Sequence, residues 1–179
     1  MKNAVCLLFL CLYVAGCTLT VTAAQPRPNI ALAPRPEKLS LKLGPDVKDQ
    51  YRVPPQQGLQ AVNVAGWNST LQTGFDSAFG SLFQGSGEGL VLSIDRADLV
   101  VTPAAVGTYG VAAVRAQVTY RAQLMSESGN VIAISAATAE SKGTTASPSQ
   151  ADMTRLAGDA VESMYELIAK ELFQTPPKS

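Results

Sequence analysis

The chain has 179 residues, 14 basic and 14 acidic side chains, no histidine and three cysteines. A balanced charge argues against a general nucleic-acid binder, which would show a clustered basic excess. The missing histidine removes the usual general base and the commonest metal ligand. The length suits one domain of ordinary size.

Lys2 precedes a short apolar run from Ala4 to Val14, followed by the small residues Ala15 and Gly16 and then Cys17. The run is too short to cross a bilayer as a helix, which takes about 20 apolar residues. A basic start, an apolar core and small residues before a cut are the layout of a secretory signal peptide. Val14-Ala15-Gly16-Cys17 resembles the lipobox of bacterial lipoproteins: aliphatic, small, small, cysteine. The resemblance implies that the chain is cut between Gly16 and Cys17. It also implies that the Cys17 sulfur takes a diacylglyceryl group and that its new amine is palmitoylated. Two or more acyl chains are what stable anchoring requires, since one gives only marginal binding. The alternative is an ordinary signal peptide with an incidental cysteine. Cys6 and Cys11 leave with residues 1–16, so the mature chain has no thiol pair for a disulfide and must rely on a packed core. By the same resemblance, the absence of aspartate at Thr18 points to the outer membrane, with the domain on the periplasmic face.

Residues 17–38 read as the lipidated cysteine and a flexible tether, because Gln25-Pro-Arg-Pro28 and Ala33-Pro-Arg-Pro36 favour extended spacing. A single globular domain is expected over 39–175. Leu39 to Leu43 alternates as a half-buried strand, Gly44-Pro45 ends it, and Leu59 to Val64 is a second short candidate. Trp67, Leu71, Phe75, Ala78, Phe79 and Leu82 recur at helical steps, with Gly74 as a weak point. Asn68-Ser-Thr70 matches a glycosylation sequon and reads better as the start of this helix. Gly85-Ser-Gly-Glu-Gly89 superficially resembles a phosphate loop, but it precedes a strand rather than a helix and reads as a flexible turn.

Three strands follow. Leu90, Leu92 and Ile94 share one face while Leu99 and Val101 change phase, which predicts a bulge near Asp95 to Ala97. Ala112, Val114, Ala116, Val118, Tyr120, Ala122 and Leu124 then form an apolar face, opposite Arg115, Gln117, Thr119, Arg121 and Gln123. Ser126 to Asn130 is a turn, and Val131 to Ser141 returns antiparallel. The last helix is expected to start at a Ser147 cap with Pro148 at its first position and Gln150 at its third. It carries a stripe from Met153 to Leu172 and stops at Pro176-Pro177. The fold class is α+β: a two-layer sandwich, mostly antiparallel, with two helices on one sheet face. The element order resembles small envelope lipoproteins of the ABC-transport auxiliary and lipopolysaccharide-assembly types.

Catalytic constellations are sparse. Asp95 and Asp98 flank Arg96, but residues three apart on a strand point to opposite faces unless the bulge intervenes. Ser141-Lys142 sits at a strand end and reads as solvated. The expectation is therefore a non-enzyme without cofactor or metal, whose partners are the membrane and an envelope protein rather than nucleic acid. It would be an accessory or assembly component of an envelope transport or export machine; the alternative is a periplasmic module for a small apolar or lipidic ligand. The candidate partner surface is Arg115, Gln117, Thr119, Arg121 and Gln123, whose donors suit carboxylates or lipid phosphates.

Overall fold

The computed structural model describes residues 19–22, 24–54, 61–106, 112–145 and 149–174. The signal peptide, Gly16 and Cys17, the Ser147-Pro148 pair and Pro176-Pro177 lie outside them. Two mixed sheets and two helices form an α+β sandwich, as expected. The main sheet takes the order β2 (Lys38–Leu43), β5 (Gly89–Val106), β6 (Ala112–Ser126), β7 (Val131–Thr145). Its three long strands are antiparallel, while β2 adds a parallel edge beside β5.

Apolar periodicity explains most of this. α1 (Trp67–Phe79) buries Trp67, Leu71, Phe75, Ala78 and Phe79. α2 (Gln150–Ala169) buries its stripe from Met153 to Ile168, then widens into a π-helical turn, Lys170–Gln174, that turns both Leu172 and Phe173 inward. The inward side chains of β6 meet α2, and Trp67 fixes α1 to the sheet by donating its indole N–H to the Ala97 carbonyl at 2.7 Å. The predicted bulge is present: the β5–β6 register shifts between Ile94 and Arg96, which returns Ala97, Leu99 and Val101 to the core face.

Three expectations need correction. Residues 19–22 and 24–37 are packed on the domain rather than forming a tether. β1 (Leu19–Val21) runs parallel to β4 (Val62–Val64), which pairs antiparallel with β3 (Tyr51–Val53) in a second, three-stranded sheet. Pro26 and Pro28 are buried, and the backbone amides of Arg27 and Asn29 donate to Glu162 and Glu166 at 2.7 and 3.1 Å. Proline favoured an extended chain, and α2 supplies acceptors for the amides that such a chain leaves open.

The Gly85–Gly89 segment, read as a flexible turn, is the seat for Pro36. A side chain at Gly85 would sit 1.7 Å from the Pro36 carbonyl oxygen, which accepts the Gly87 amide at 3.0 Å. Only glycine permits that approach.

The cap of α2 is Ser149, two residues beyond the expected Ser147. Its hydroxyl accepts the Asp152 amide at 3.1 Å, and the Asp152 carboxylate accepts the Ser149 amide at 3.1 Å. An aspartate at the third position closes the box and favours the positive end of the helix dipole; Gln150 is the first residue of the helix. The Ser149 hydroxyl also donates to the Asp152 carboxylate at 2.7 Å, and these bonds hold the acid below its ordinary range.

Candidate functional site

The strict alternation of β6 determines the outer surface of the main sheet. Val114, Ala116, Val118 and Ala122 are fully buried, so Arg115, Gln117, Thr119, Arg121 and Gln123 all emerge on the other side. The structure thus brings the five predicted residues together on one face. Across the strands, β7 adds Lys142, Glu140, Thr138, Ala136 and Ile134.

This face is laced by its own bonds. Glu140 is the hub: Lys142 lies 2.7 Å from one carboxylate oxygen, and the other accepts from Gln117 at 3.3 Å and forms an ion pair with the Arg115 Nε at 3.5 Å. The Lys142 hydrogen bond, with Arg115 nearby, lowers the Glu140 pKa. Thr119 and Thr138 hydroxyls meet at 3.1 Å, and Gln123 donates to Asp95. Arg121 differs. It is exposed, faces Arg96 and Ala136, and among the described residues makes no ion pair, whereas Arg96 is taken by Asp98. Arg121 is therefore the cation on this face most open to an external anion.

Sequence reasoning missed how this face continues. Val131, Ile132 and Ile134 are 51%, 57% and 54% exposed, and Ile134 pairs with Gln123. The pattern of β7 is inverted: Ala133, Ser135, Ala137 and Ala139 point inward because α2 packs closely on it, leaving the large side chains outside. The signal was present in that parity, which sets small residues at 133, 135, 137 and 139 against the larger Ile132 and Ile134; Val131 joins the outer side through the register shift opposite Met125. β7 is also the outer strand of its sheet, so one backbone edge has no strand partner among the described residues.

Other constellations do not assemble into chemistry. The bulge brings Asp95 to the outer face, yet each carboxylate has its own partner: Ser93 and Gln123 for Asp95, Arg96 for Asp98. Ser141 and Lys142 diverge, one toward Asp159 at 3.5 Å and the other to Glu140. A chain of polar groups runs from the buried Tyr120 hydroxyl to Ser135 at 3.0 Å and on to the exposed Glu171. Burial raises the Tyr120 pKa, and Ser135 is wholly inaccessible, so the chain acts as a polar plug between sheet and helix. No group of three or more potential ligands for a metal occurs among the described residues. A groove of about 670 Å³ runs between α2 and Thr22, Ala24 and Gln25, bordered by Gln150, Thr154, Arg155, Asp159 and Glu162.

No protein-family model matches the chain, and no curated protein is similar to it. Among solved structures it is similar to a minor lipoprotein from Acinetobacter baumannii, at 15% identity and a TM-score of 0.47, covering 76% of this chain and 90% of that one. A Xanthomonas campestris protein of a domain-of-unknown-function family is similar at 13% identity and a TM-score of 0.43, covering 86% and 95%. A Caulobacter crescentus protein described as a lipoprotein is similar at 15% and 0.39, covering 79% and 93%. Likeness at this level assigns neither family nor activity.

Proposed function

We propose that the chain is a lipid-anchored bacterial envelope protein, held in the outer membrane through Cys17, that acts as a non-catalytic accessory of a transport or assembly machine. The observation that carries this is Val14-Ala15-Gly16-Cys17 after a short apolar run with a basic start. A packed domain without a histidine, joined to that cysteine and displaying an exposed Arg121 beside an apolar patch, fits a part that meets other envelope proteins. The test is Cys17→Ser. Lipid labelling and membrane retention should be lost, with precursor or soluble protein in their place. Labelled palmitate incorporation that survives the substitution defeats the proposal.

The second reading, an apolar ligand held between helices and sheet, has less support. Trp67, Leu71, Tyr120, Met164 and Tyr165 fill that space, and the groove beside α2 is bordered by polar and charged groups. Lipid that co-purifies with the non-lipidated mature chain would favour it.

A further inference from the structure

Resting on the Cys17 anchor, we propose that the domain stands end-on on the phospholipid bilayer, with the first turns of α2 toward the lipid and the β6–β7 hairpin at the far end. Only Thr18 separates Cys17 from Leu19, the first residue of β1. Two Cα steps of about 3.8 Å keep the Cys17 Cα within roughly 8 Å of that strand. The anchor therefore has almost no slack, and the place where the chain meets the fold decides which end faces the membrane.

That place is the N-terminal end of α2. Beyond β1 the chain follows α2 in the same direction: the Thr22 amide donates to Thr154 at 3.4 Å, Arg27 to Glu162 at 2.7 Å and Asn29 to Glu166 at 3.1 Å. Six residues surround the junction through strand register and the adjoining groove, namely Thr20, Thr22, Pro54, Ala61, Gln150 and Ala151. These six are uncharged, and the charges of the first turns of α2, Asp152 and Arg155, already have partners in Ser149 and Asp159, so approach to lipid headgroups strands no unpartnered charge among them.

β7 runs back along α2 in the opposite sense, with Ser141 at Asp159 and Ser135 at Glu171. At 1.5 Å per residue the helical path from Thr154 to Glu171 spans about 26 Å. At roughly 3.3 Å per residue the strand from Ser135 back to Val131, where the hairpin turn begins, adds about 13 Å. The apolar flank of the hairpin, from Ile134 to Val131, thus stands on the order of 30–40 Å beyond the level of Thr154, out of reach of the bilayer.

The experiment places a donor fluorophore at Gln150→Cys or Ile134→Cys in the lipidated full-length mature chain. The chain is reconstituted in phosphatidylethanolamine–phosphatidylglycerol vesicles carrying a headgroup acceptor. Energy transfer should be several-fold stronger from position 150 than from 134. Ten Gly/Ser residues inserted between Thr18 and Leu19, with a coil span of about 17 Å, should pull the value at 150 down toward that at 134. Equal transfer from the two sites without the insertion, or stronger transfer from 134, overturns the end-on orientation, since the domain then lies flat or dips its hairpin into lipid. Flotation of the same vesicles is measured separately: protein that fails to float removes the anchor and the orientation with it, whereas protein that floats with the wrong ranking defeats the orientation alone.

Discussion

The Tyr165 hydroxyl donates to the Leu71 carbonyl oxygen at 2.7 Å, and its ring edge lies where a side chain on Gly74 would have to be. Burial raises the Tyr165 pKa and keeps the phenol a donor. A Cβ on Gly74 would meet the ring at 2.7 Å and Pro26 at 3.0 Å, so this glycine is where α1, α2 and the N-terminal segment converge. Gly74→Ala gains about 1 kcal/mol of helix propensity but overpacks a closed contact, which costs about 1–3 kcal/mol. The expected result is a lower denaturant midpoint. Pairing the change with Tyr165→Phe should not rescue it, because the clash is with the ring and not with the hydroxyl. A midpoint that rises on Gly74→Ala contradicts this packing.

Gly74 also shows where the sequence was legible. Both helices, the long antiparallel strands, the bulge and the five-residue outer face follow from apolar periodicity, which is a property of neighbouring residues. What periodicity cannot show is a contact between distant segments. Pro26 and Pro28 look like spacer residues until α2 is placed beside them, and Gly85 looks like slack until Pro36 is seated on it. β1 and β3 have three residues each, too few to carry a period, whereas the equally short β4 lies within the Leu59 to Val64 candidate. Asp49, at the start of α1, is of the same kind: its carboxylate accepts the Asn68 amide at 3.0 Å from a loop distant in sequence, standing in for the side-chain cap that Gly66 lacks.

Ser149→Ala removes the capping hydroxyl of α2 and should cost about 1 kcal/mol near neutral pH. The same cap sets a pH dependence. The Asp152 carboxyl is held below its ordinary value of 3.8 by the Ser149 bonds, so its contribution is complete above that value and is lost as acid takes the pH down through the lowered one. Thermal melts of the two proteins should therefore differ most at pH 7, with the gap narrowing as the pH falls below about 3.8, because the hydroxyl's bond to the Asp152 amide remains. A gap that widens in acid reverses the sign and rules out this cap.

Arg121→Glu is the discriminating change on the outer face. Arg121 makes no ion pair among the described residues, so reversing its charge should leave circular dichroism and melting unchanged while reducing capture of the envelope partner after cross-linking. Arg115→Glu is a poorer probe, because it sets a carboxylate against Glu140 and should cost some stability through like-charge repulsion across the strands. Unchanged capture with an intact Arg121→Glu fold would make the face an ordinary solvated sheet surface.

Ile132 and Ile134 are more than half exposed on the outer strand of a four-stranded sheet. An apolar strand with an unpartnered backbone edge tends to pair with another chain unless something covers it. Ile132→Thr with Ile134→Thr keeps β-branching and the strand's inner residues, so the change in stability should stay within about 0.5 kcal/mol. Concentration-dependent association should fall, however, because the substitution removes apolar surface that only an intermolecular contact could bury. Sedimentation velocity of the non-lipidated mature chain over a wide concentration range reads this directly, with a denaturant melt as the control. A loss of several kcal/mol in the melt would mean that these side chains are buried within one molecule. Unaltered association together with an unaltered melt would mean that the apolar flank of the hairpin is not what brings copies together.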